Sequence, residues 1–192
     1  MVEIDKQLIG ISKLDTAKRE LEHSIRLFFY NVDVVVIHLL AATAHQVLSD
    51  LGKRNGIKSF IRQFASEYIK EERREEANRA LNKALNFFKH ADNDPEDILK
   101  FNPENSELFI LDAIGMYQLL TSELTGLMVA FRAWFFIKHP GAATSKEIEV
   151  AAKGALTALG KTASAGNRPA FLTFAEEFEK LRAARLVQGP VM

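Results

Sequence analysis

Apolar side chains recur at steps of three and four residues along most of this chain. In residues 13–29 the apolar positions are Leu14, Ala17, Leu21, Ile25 and Phe28. This period places the apolar groups on one face of an α-helix and the charged groups on the other. No stretch keeps the alternation of apolar and polar residues that is typical of a half-buried strand. The pattern therefore predicts an all-α protein without a sheet.

Turn residues divide the chain into a series of helical segments. The predicted segments cover residues 13–29, 34–51, 57–69 continuing into 70–90, 103–122, 127–138, 145–160 and 168–186. Two of their starts rest on Asp33, which can cap a helix, and on Pro103, which favours a first turn. We expect the segments 103–122 and 127–138 to form an antiparallel hairpin. Together they predict a bundle of about seven helices.

The length and the local composition predict one helical domain over residues 1–192. The small and polar stretch 161–167, "KTASAGN", predicts a flexible linker before the last helix. The final residues 187–192, "VQGPVM", predict a loose tail.

The balance of charge limits the partners that the sequence favours. Lysine and arginine total 25, and aspartate and glutamate also total 25. No net field therefore draws the chain to nucleic acid or to an anionic membrane, and nucleic-acid binding would need a local basic patch. The absence of cysteine excludes disulfides, thiolate metal sites and cysteine nucleophiles. We expect a protein partner or self-association, and no cofactor.

The start of the chain predicts a mature cytoplasmic protein. The opening residues, "MVEIDKQLIG", carry charges and lack the long apolar stretch of a secretory signal. The most apolar windows, 34–42 and 127–137, are interrupted by His38 and Arg132 and are shorter than the roughly 20 residues of a membrane span. These windows predict core helices and no contact with a membrane.

A line of polar side chains runs along the predicted helix 70–90. At about 100° per residue, Arg79, Lys83, Asn86 and His90 fall within roughly 60° of one another, opposite the apolar stripe. Such groups can hold a phosphate, and an imidazole can move a proton near neutral pH. The line predicts a catalytic or phosphate-binding site at these residues. The alternative is a solvated face whose basic groups complement the helix dipole.

The same region carries a resemblance to a known superfamily. An Ala-rich apolar helix, "VIHLLAATAHQVL", is followed by a charged helix that ends "NKALNFFKHAD". This combination, over residues 14–92, resembles the HEPN superfamily of small helical bundles in bacterial defence and toxin–antitoxin systems, and it implies a HEPN-like fold. HEPN ribonucleases cleave RNA through its 2′-hydroxyl with an Arg-x4-6-His pair, whereas here Lys83 stands seven and Arg79 eleven residues before His90. The fragment "KHADNDP" also resembles a motif of a bacterial protein set, and that likeness implies no activity.

Two histidines of the apolar helix 34–51 form a second candidate site. His38 and His45 are seven residues apart and face the same way, among small residues. With a carboxylate from elsewhere in the chain they predict a metal or cofactor site. They lie about 10 Å apart along the helix axis, so one ion would require their side chains to converge. The alternative is two core histidines with separate partners.

Asp112 and Arg132 each stand alone as a charged residue within an apolar helix. If the turn between the two helices is centred near Ser122, each residue lies ten positions from it, so antiparallel packing sets them level. The pattern therefore predicts a buried structural ion pair between Asp112 and Arg132. The alternative places Arg132 on the wall of a ligand cavity.

Three hypotheses about function remain open at this point. The first is a helical interaction module of a bacterial cytoplasm, HEPN-like and without the nuclease motif. The second is an RNA- or phosphate-handling enzyme centred on His90, with Arg79, Lys83 and Asn86. The third is a metal- or cofactor-binding bundle that uses His38 and His45.

Overall fold

The computed structural model describes residues 8–63, 70–92, 95–142, 150, 154, 157, 160 and 164–188. Within these ranges the helices are α1 (Lys13–Phe29), α2 (Val34–Lys53), α3 (Glu71–Lys89), α4 (Glu104–Thr121), α5 (Gly126–Lys138) and α6 (Ala170–Gln188). The described residues contain no strand, so the predicted all-α fold is confirmed. A helical turn also covers residues 60–63, at the start of the predicted segment 57–69. The predicted helix 145–160 falls almost entirely outside the described residues.

The first two helices begin where the sequence supplies capping side chains. The Ser12 hydroxyl accepts a hydrogen bond from the backbone N–H of Asp15 at 3.0 Å, and the Asp15 carboxylate accepts one from the Ser12 backbone N–H at 3.4 Å. The Asp33 carboxylate accepts from the N–H groups of Val35 and Val36 at 2.8 and 3.3 Å, as predicted. These bonds satisfy backbone donors that have no partner inside the helix.

The apolar face of α1 is the centre of the core. Its Leu21 and Ile25 are fully buried, as are Leu48 of α2 and Ile110 of α4. Removing a side chain of this size from water contributes roughly 1.5–3 kcal/mol. The burial of these four residues fixes α2 and α4 against α1, and that frame holds the histidines of α2.

Aromatic rings join α1 to the C-terminal half of the fold. The ring centroids of Phe28 and Trp134 lie 4.6 Å apart in an edge arrangement, and Phe29 stacks on Phe171 of α6 at 5.5 Å. The Arg168 guanidinium lies 4.0 Å from the centroid of the Phe28 ring. Aromatic pairs of this geometry stabilise a core by about 0.5–1.5 kcal/mol beyond their buried area.

The predicted hairpin of α4 and α5 is present. The turn between them begins at Ser122, whose backbone is left-handed with φ 60°. At the far end of the hairpin the Lys138 ammonium donates to both carboxylate oxygens of Glu107 at 2.8 Å. Glu107 is buried, and the Arg168 guanidinium lies 4.0 Å from it, so this carboxylate ties α4 and α5 to the residues before α6.

Helix α6 crosses α5 at very short range. A Cβ atom at Gly126, the first residue of α5, would collide with the backbone carbonyl oxygen of Ala175. The Glu179 carboxylate accepts from the Gly126 backbone N–H, and the Arg182 guanidinium donates to the Leu124 carbonyl at 3.0 Å. Glycine is therefore required at position 126 for α6 to reach the turn that precedes α5.

Among the described residues, α2 is long and apolar enough to cross a membrane by length and composition. A core helix passes the same test, so the finding assigns no membrane. In this structure Ile37, Ala41, Ala44 and Leu48 of α2 are buried between neighbouring helices.

The described part of the predicted linker forms a turn against the core. Within residues 164–167 the backbone N–H of Asn167 donates to the Ser164 carbonyl at 2.9 Å, and the Trp134 indole N–H donates to the Ala165 carbonyl at 2.9 Å. Residues 187 and 188 of the predicted tail belong to α6. The flexibility of both segments stays a prediction.

Candidate functional site

The four polar residues predicted to share one face of α3 line a single cleft. The cleft has a volume of about 620 Å³, and Arg79, Lys83, Asn86 and His90 are all exposed along it. We call this feature the α3 cleft.

The apolar side of α3 sets the direction in which the polar residues point. Leu85 is buried, and Phe88 packs its ring against Phe101 at 5.4 Å and against the imidazole of His38 at 6.0 Å. These contacts set the orientation of α3 against its neighbours. Residues three and four positions apart then lie together on the opposite, exposed side.

Acidic and aromatic residues that the helix pattern did not predict complete the α3 cleft. Asp92 and Asp97 lie on its wall, together with Phe87 and Ala80. Both aspartates belong to the segment that leaves α3 after His90. A helical period carries no signal for them because they follow the end of the helix.

Charges of both signs line the α3 cleft. Arg79 and Lys83 lie along the middle of α3, and Asp92 and Asp97 belong to the segment that follows α3 and returns to it where Phe101 packs on Phe88. The lining is therefore mixed in charge. Glu75 adds to this balance, because its carboxylate lies 3.1 Å from the Arg79 guanidinium.

His90 lines the same cleft. Its backbone N–H donates to the Asn86 carbonyl at 3.0 Å and closes the helix. Among the described residues, no hydrogen bond orients its imidazole. A catalytic histidine is commonly held in one tautomer by a partner on its second nitrogen, and the described residues supply no such partner to His90.

His38 is buried in an aromatic box. Its Nδ1 shares a hydrogen bond with the Ser106 hydroxyl at 3.1 Å, and the rings of Phe88, Phe101 and Phe109 surround it at centroid distances of 4.8 to 6.0 Å. Its Nε2 is buried without a hydrogen-bond partner. Burial lowers the pKa of His38 to about 4, because a charged imidazole would lose its hydration without gaining a counter-ion.

His45 belongs to a separate buried network centred on Asp112. The Asp112 carboxylate accepts from His45 Nε2 at 2.9 Å, from the Ser59 hydroxyl at 2.6 Å, and from the backbone N–H groups of Phe60 and Ile61 at 2.9 and 3.2 Å. Burial acts to raise the pKa of Asp112, but the hydrogen bonds from His45 and Ser59 outweigh it, so the net shift is downward. Asp112 thus caps, from a distant helix, the turn that begins at Phe60.

The predicted metal site at His38 and His45 is not assembled. The two imidazoles have different partners, Ser106 and Asp112, and both are buried. No group of three or more histidines, aspartates and glutamates that could hold a metal ion occurs in the described part of the chain. The physical reason is the rise of the helix. Seven residues separate the two rings by about 10 Å, so each imidazole contacts different side chains of the core.

Ser59, His45 and Asp112 meet in space, yet their arrangement is not that of a catalytic triad. The Ser59 hydroxyl donates to Asp112, and its oxygen accepts from the backbone N–H of Arg62 at 3.1 Å. An ionised carboxylate only accepts, so the His45 Nε2 that lies beside both groups carries a hydrogen and cannot take the proton of the serine. This cluster is structural.

The predicted ion pair between Asp112 and Arg132 is wrong. Asp112 points to α2 and the turn at Phe60, whereas the Arg132 guanidinium donates to the Gln118 side chain at 2.8 Å. Gln118 is six residues beyond Asp112, which is about 9 Å along α4 and about 120° around it. A register counted from the turn therefore fixed neither the height along α4 nor the face, and Asp112 bonds to His45 of α2 instead.

Comparisons with known proteins identify no relative of this chain. No protein-family model matches the chain, no curated protein matches it, and no solved structure matches it.

Proposed function

We propose that this chain is a helical interaction module of a bacterial cytoplasm, and that the α3 cleft is the surface that binds another protein. The observation that carries the proposal is the mixed lining of the cleft, which includes the basic Arg79 and Lys83 as well as the acidic Asp92 and Asp97. A protein segment can present both acidic and basic side chains to such a lining. Complementary charge of this kind selects a partner and its orientation.

The mixed charge of the lining disfavours an RNA ligand. A polynucleotide presents negative charge at every step, and the cleft that holds Arg79 and Lys83 is also lined by the carboxylates of Asp92 and Asp97. Each close pair of like charges at a surface costs about 1 kcal/mol or more. The α3 cleft therefore lacks the uniform basic character that nucleic-acid sites show.

The middle of the α3 cleft suits a peptide backbone. The Asn86 amide is exposed and offers both donors and an acceptor, and the half-buried Phe87 ring lies next to it. An exposed amide can bond a backbone N–H or C=O, and an aromatic ring adds apolar contact. The resemblance to HEPN bundles without the nuclease spacing supports the same function.

A peptide titration tests the proposal. The probe is a labelled synthetic peptide with glutamates at one end, lysines at the other and apolar residues between them, with all-glutamate and all-lysine peptides as controls. We expect the mixed-charge peptide to bind most tightly, and Arg79→Glu with Lys83→Glu to weaken it by about tenfold or more, with a strong dependence on salt. Equal binding of all three peptides, or no effect of the two substitutions, would refute the proposal.

A second candidate function keeps His90 as a catalytic group in an RNA- or phosphate-handling enzyme. It is favoured by one observation, which is that the His90 imidazole shares the α3 cleft with Lys83 and Asn86. This function predicts cleavage of a mixed-sequence RNA by the purified chain and its loss in His90→Ala. If the wild-type chain cleaves neither single-stranded nor structured RNA, this second function is refuted.

A further inference from the structure

We infer that His38 is an acid-sensitive latch, and that protonation of its imidazole releases α3 from α2 while the rest of the bundle stays packed. The released part, which we call the α3 arm, is α3 with the segment after it, residues 71–92 and 95–101. The inference does not depend on the interaction function. It concerns the same surface, because every residue named on the wall of the α3 cleft lies within the arm.

The α3 arm supplies two of the three phenyl rings that enclose His38. The rings of Phe88 and Phe101 lie 6.0 and 4.8 Å from the imidazole, centroid to centroid, and both side chains are half-buried. Helix α4 supplies the third ring, Phe109, and the Ser106 hydroxyl, and both of these residues are buried. The arm is therefore the more exposed wall of this aromatic box.

The α3 arm is also the wall that is held least firmly. Among the α3 side chains that the structure describes, Leu85 alone is buried, and α3 packs chiefly against α2. Helix α4, in contrast, buries Ile110 and Ile114 completely and packs on α1, α2 and α5. Parts of a protein with few buried apolar contacts open at a lower free energy than the whole fold. The arm should therefore open before the rest of the box.

The closed box has no place for a charged imidazole. A protonated ring carries a hydrogen on both nitrogens, and Nε2 of His38 is buried without an acceptor among the described residues. Exposure to water removes this cost, and burial accordingly lowers the pKa of His38 to about 4. The closed arm is thus fully stabilised above pH 6.5 and loses this stabilisation as pH falls toward 4.

The charged residues around the box do not drive the opening. Those of the arm next to the phenyl rings are exposed: Lys89, His90 and Lys100. On α4, the buried Glu107 accepts from Lys138 at 2.8 Å. On α1, burial raises the pKa of Glu20 despite the charge of Lys89, so the folded chain takes up this proton more readily and Glu20 opposes an opening in acid.

Cysteine labelling tests the latch, because the chain contains no cysteine of its own. Leu85→Cys places one thiol on the buried side of α3, and the nearly isosteric Ser24→Cys places one in the core on α1, where it reports opening of the whole fold. A disulfide reagent that reacts in acid labels each thiol in the full chain at pH 7 and at pH 5. Each rate is divided by that of the same variant in urea at the same pH, which removes the direct effect of pH on the thiol.

We expect the corrected rate at position 85 to rise about twentyfold between pH 7 and pH 5, as follows from a pKa of about 4 in the closed box and 6.5 in water. At both pH values it should exceed the rate at position 24 by about tenfold or more, because the arm opens without the core. With His38→Leu added, the rise at position 85 should shrink to about twofold or less, because the box then holds no titrating group.

Hydrogen exchange of the unsubstituted chain gives a second readout that needs no cysteine. After correction for the intrinsic effect of pH, the α3 amides should be less protected than those of α4 and should lose about twentyfold in protection between pH 7 and pH 5. A rise that persists in the His38→Leu background would overturn the latch. So would equal labelling at positions 85 and 24, or α3 protection that does not change with pH.

Discussion

Two regions of this molecule carry the histidines that the sequence singled out, and they differ in what surrounds the imidazoles. On α2, His38 and His45 are buried, and each is bound to a side chain of another segment, Ser106 or Asp112. At the end of α3, His90 is exposed along an open cleft. The α2 region uses its polar groups to hold the fold together, whereas Arg79, Lys83, Asn86 and His90 of the α3 cleft are exposed.

The difference teaches how to separate a structural histidine from a binding one. Burial favours a partner inside the molecule, since an unpaired polar group costs about 1–3 kcal/mol, and each of the two buried histidines has one even though Nε2 of His38 does not. An exposed group carries no such requirement. Substitutions in the α2 region should therefore change stability first, and substitutions in the α3 cleft should change association first.

The largest expected effect is at Asp112. Its replacement by alanine leaves His45, Ser59 and two backbone N–H groups without their acceptor, and we expect unfolding free energy to fall by about 3–5 kcal/mol. Arg132→Ala removes one hydrogen bond to Gln118 and should cost about 1 kcal/mol or less. Urea denaturation of both variants and of the double variant measures these losses. If the loss of unfolding free energy in the double variant equals the sum of the single losses, the two residues are independent. A loss well below that sum would support the predicted ion pair.

The next effect is a pH dependence that His38 imposes. Its pKa is about 4 in the folded chain against 6.5 for an ordinary histidine, so the unfolded chain binds more protons between these values. Its contribution to stability is complete above pH 6.5 and is lost as pH falls toward 4, by about 3 kcal/mol in total. Denaturation curves across this range measure it, and His38→Leu is the control, because its neighbours are aromatic rings and a hydroxyl. If the unfolding free energy of His38→Leu changes with pH as steeply as that of the wild type, other groups cause the pH dependence.

Two helical glycines repeat the contrast between packed and open positions. Gly126→Ala forces a methyl group against the Ala175 carbonyl, and we expect a loss of about 1–3 kcal/mol in thermal or urea unfolding. Gly115→Ala is the matched control, because an added Cβ there meets no atom within 4 Å. Alanine also favours the helix by up to about 1 kcal/mol, so the control should be neutral or stabilising. Equal losses at both positions would contradict the close crossing of α5 and α6.

The smallest effect on stability is expected in the α3 cleft. Arg79→Glu with Lys83→Glu should lower the unfolding free energy by about 1 kcal/mol or less, because both side chains are exposed and the change only replaces the Glu75–Arg79 pair by like charges four residues apart. The same variant should lose association with its partner. A loss of stability comparable with that of Asp112→Ala would remove the distinction between the two regions.

The sequence predicted the features that depend only on residues close together in the chain. The period of three and four residues identified α1, the apolar side of α3 and the shared face of Arg79 and His90, because a helix alone determines which residues are neighbours. Capping by Asp33 was also predictable, since cap and helix are adjacent in the chain.

The same local rules could not predict contacts between segments that are distant in the chain. The pairing of Asp112 with Ser59 and His45 depends on how α4 rotates against α2, and a count from the turn does not contain that rotation. Asp97 lines the α3 cleft from a segment that is not helical, so no helical period could predict it.

The cap that Asp112 places on the turn at Phe60 has a consequence for hydrogen exchange. The amide protons of Phe60 and Ile61 end on a carboxylate that belongs to a helix about fifty residues further along the chain. They exchange with solvent only when their bonds to Asp112 break, so their protection should exceed that of loop amides that have no such acceptor. A short surface turn is thereby tied to a helix that is distant in the sequence.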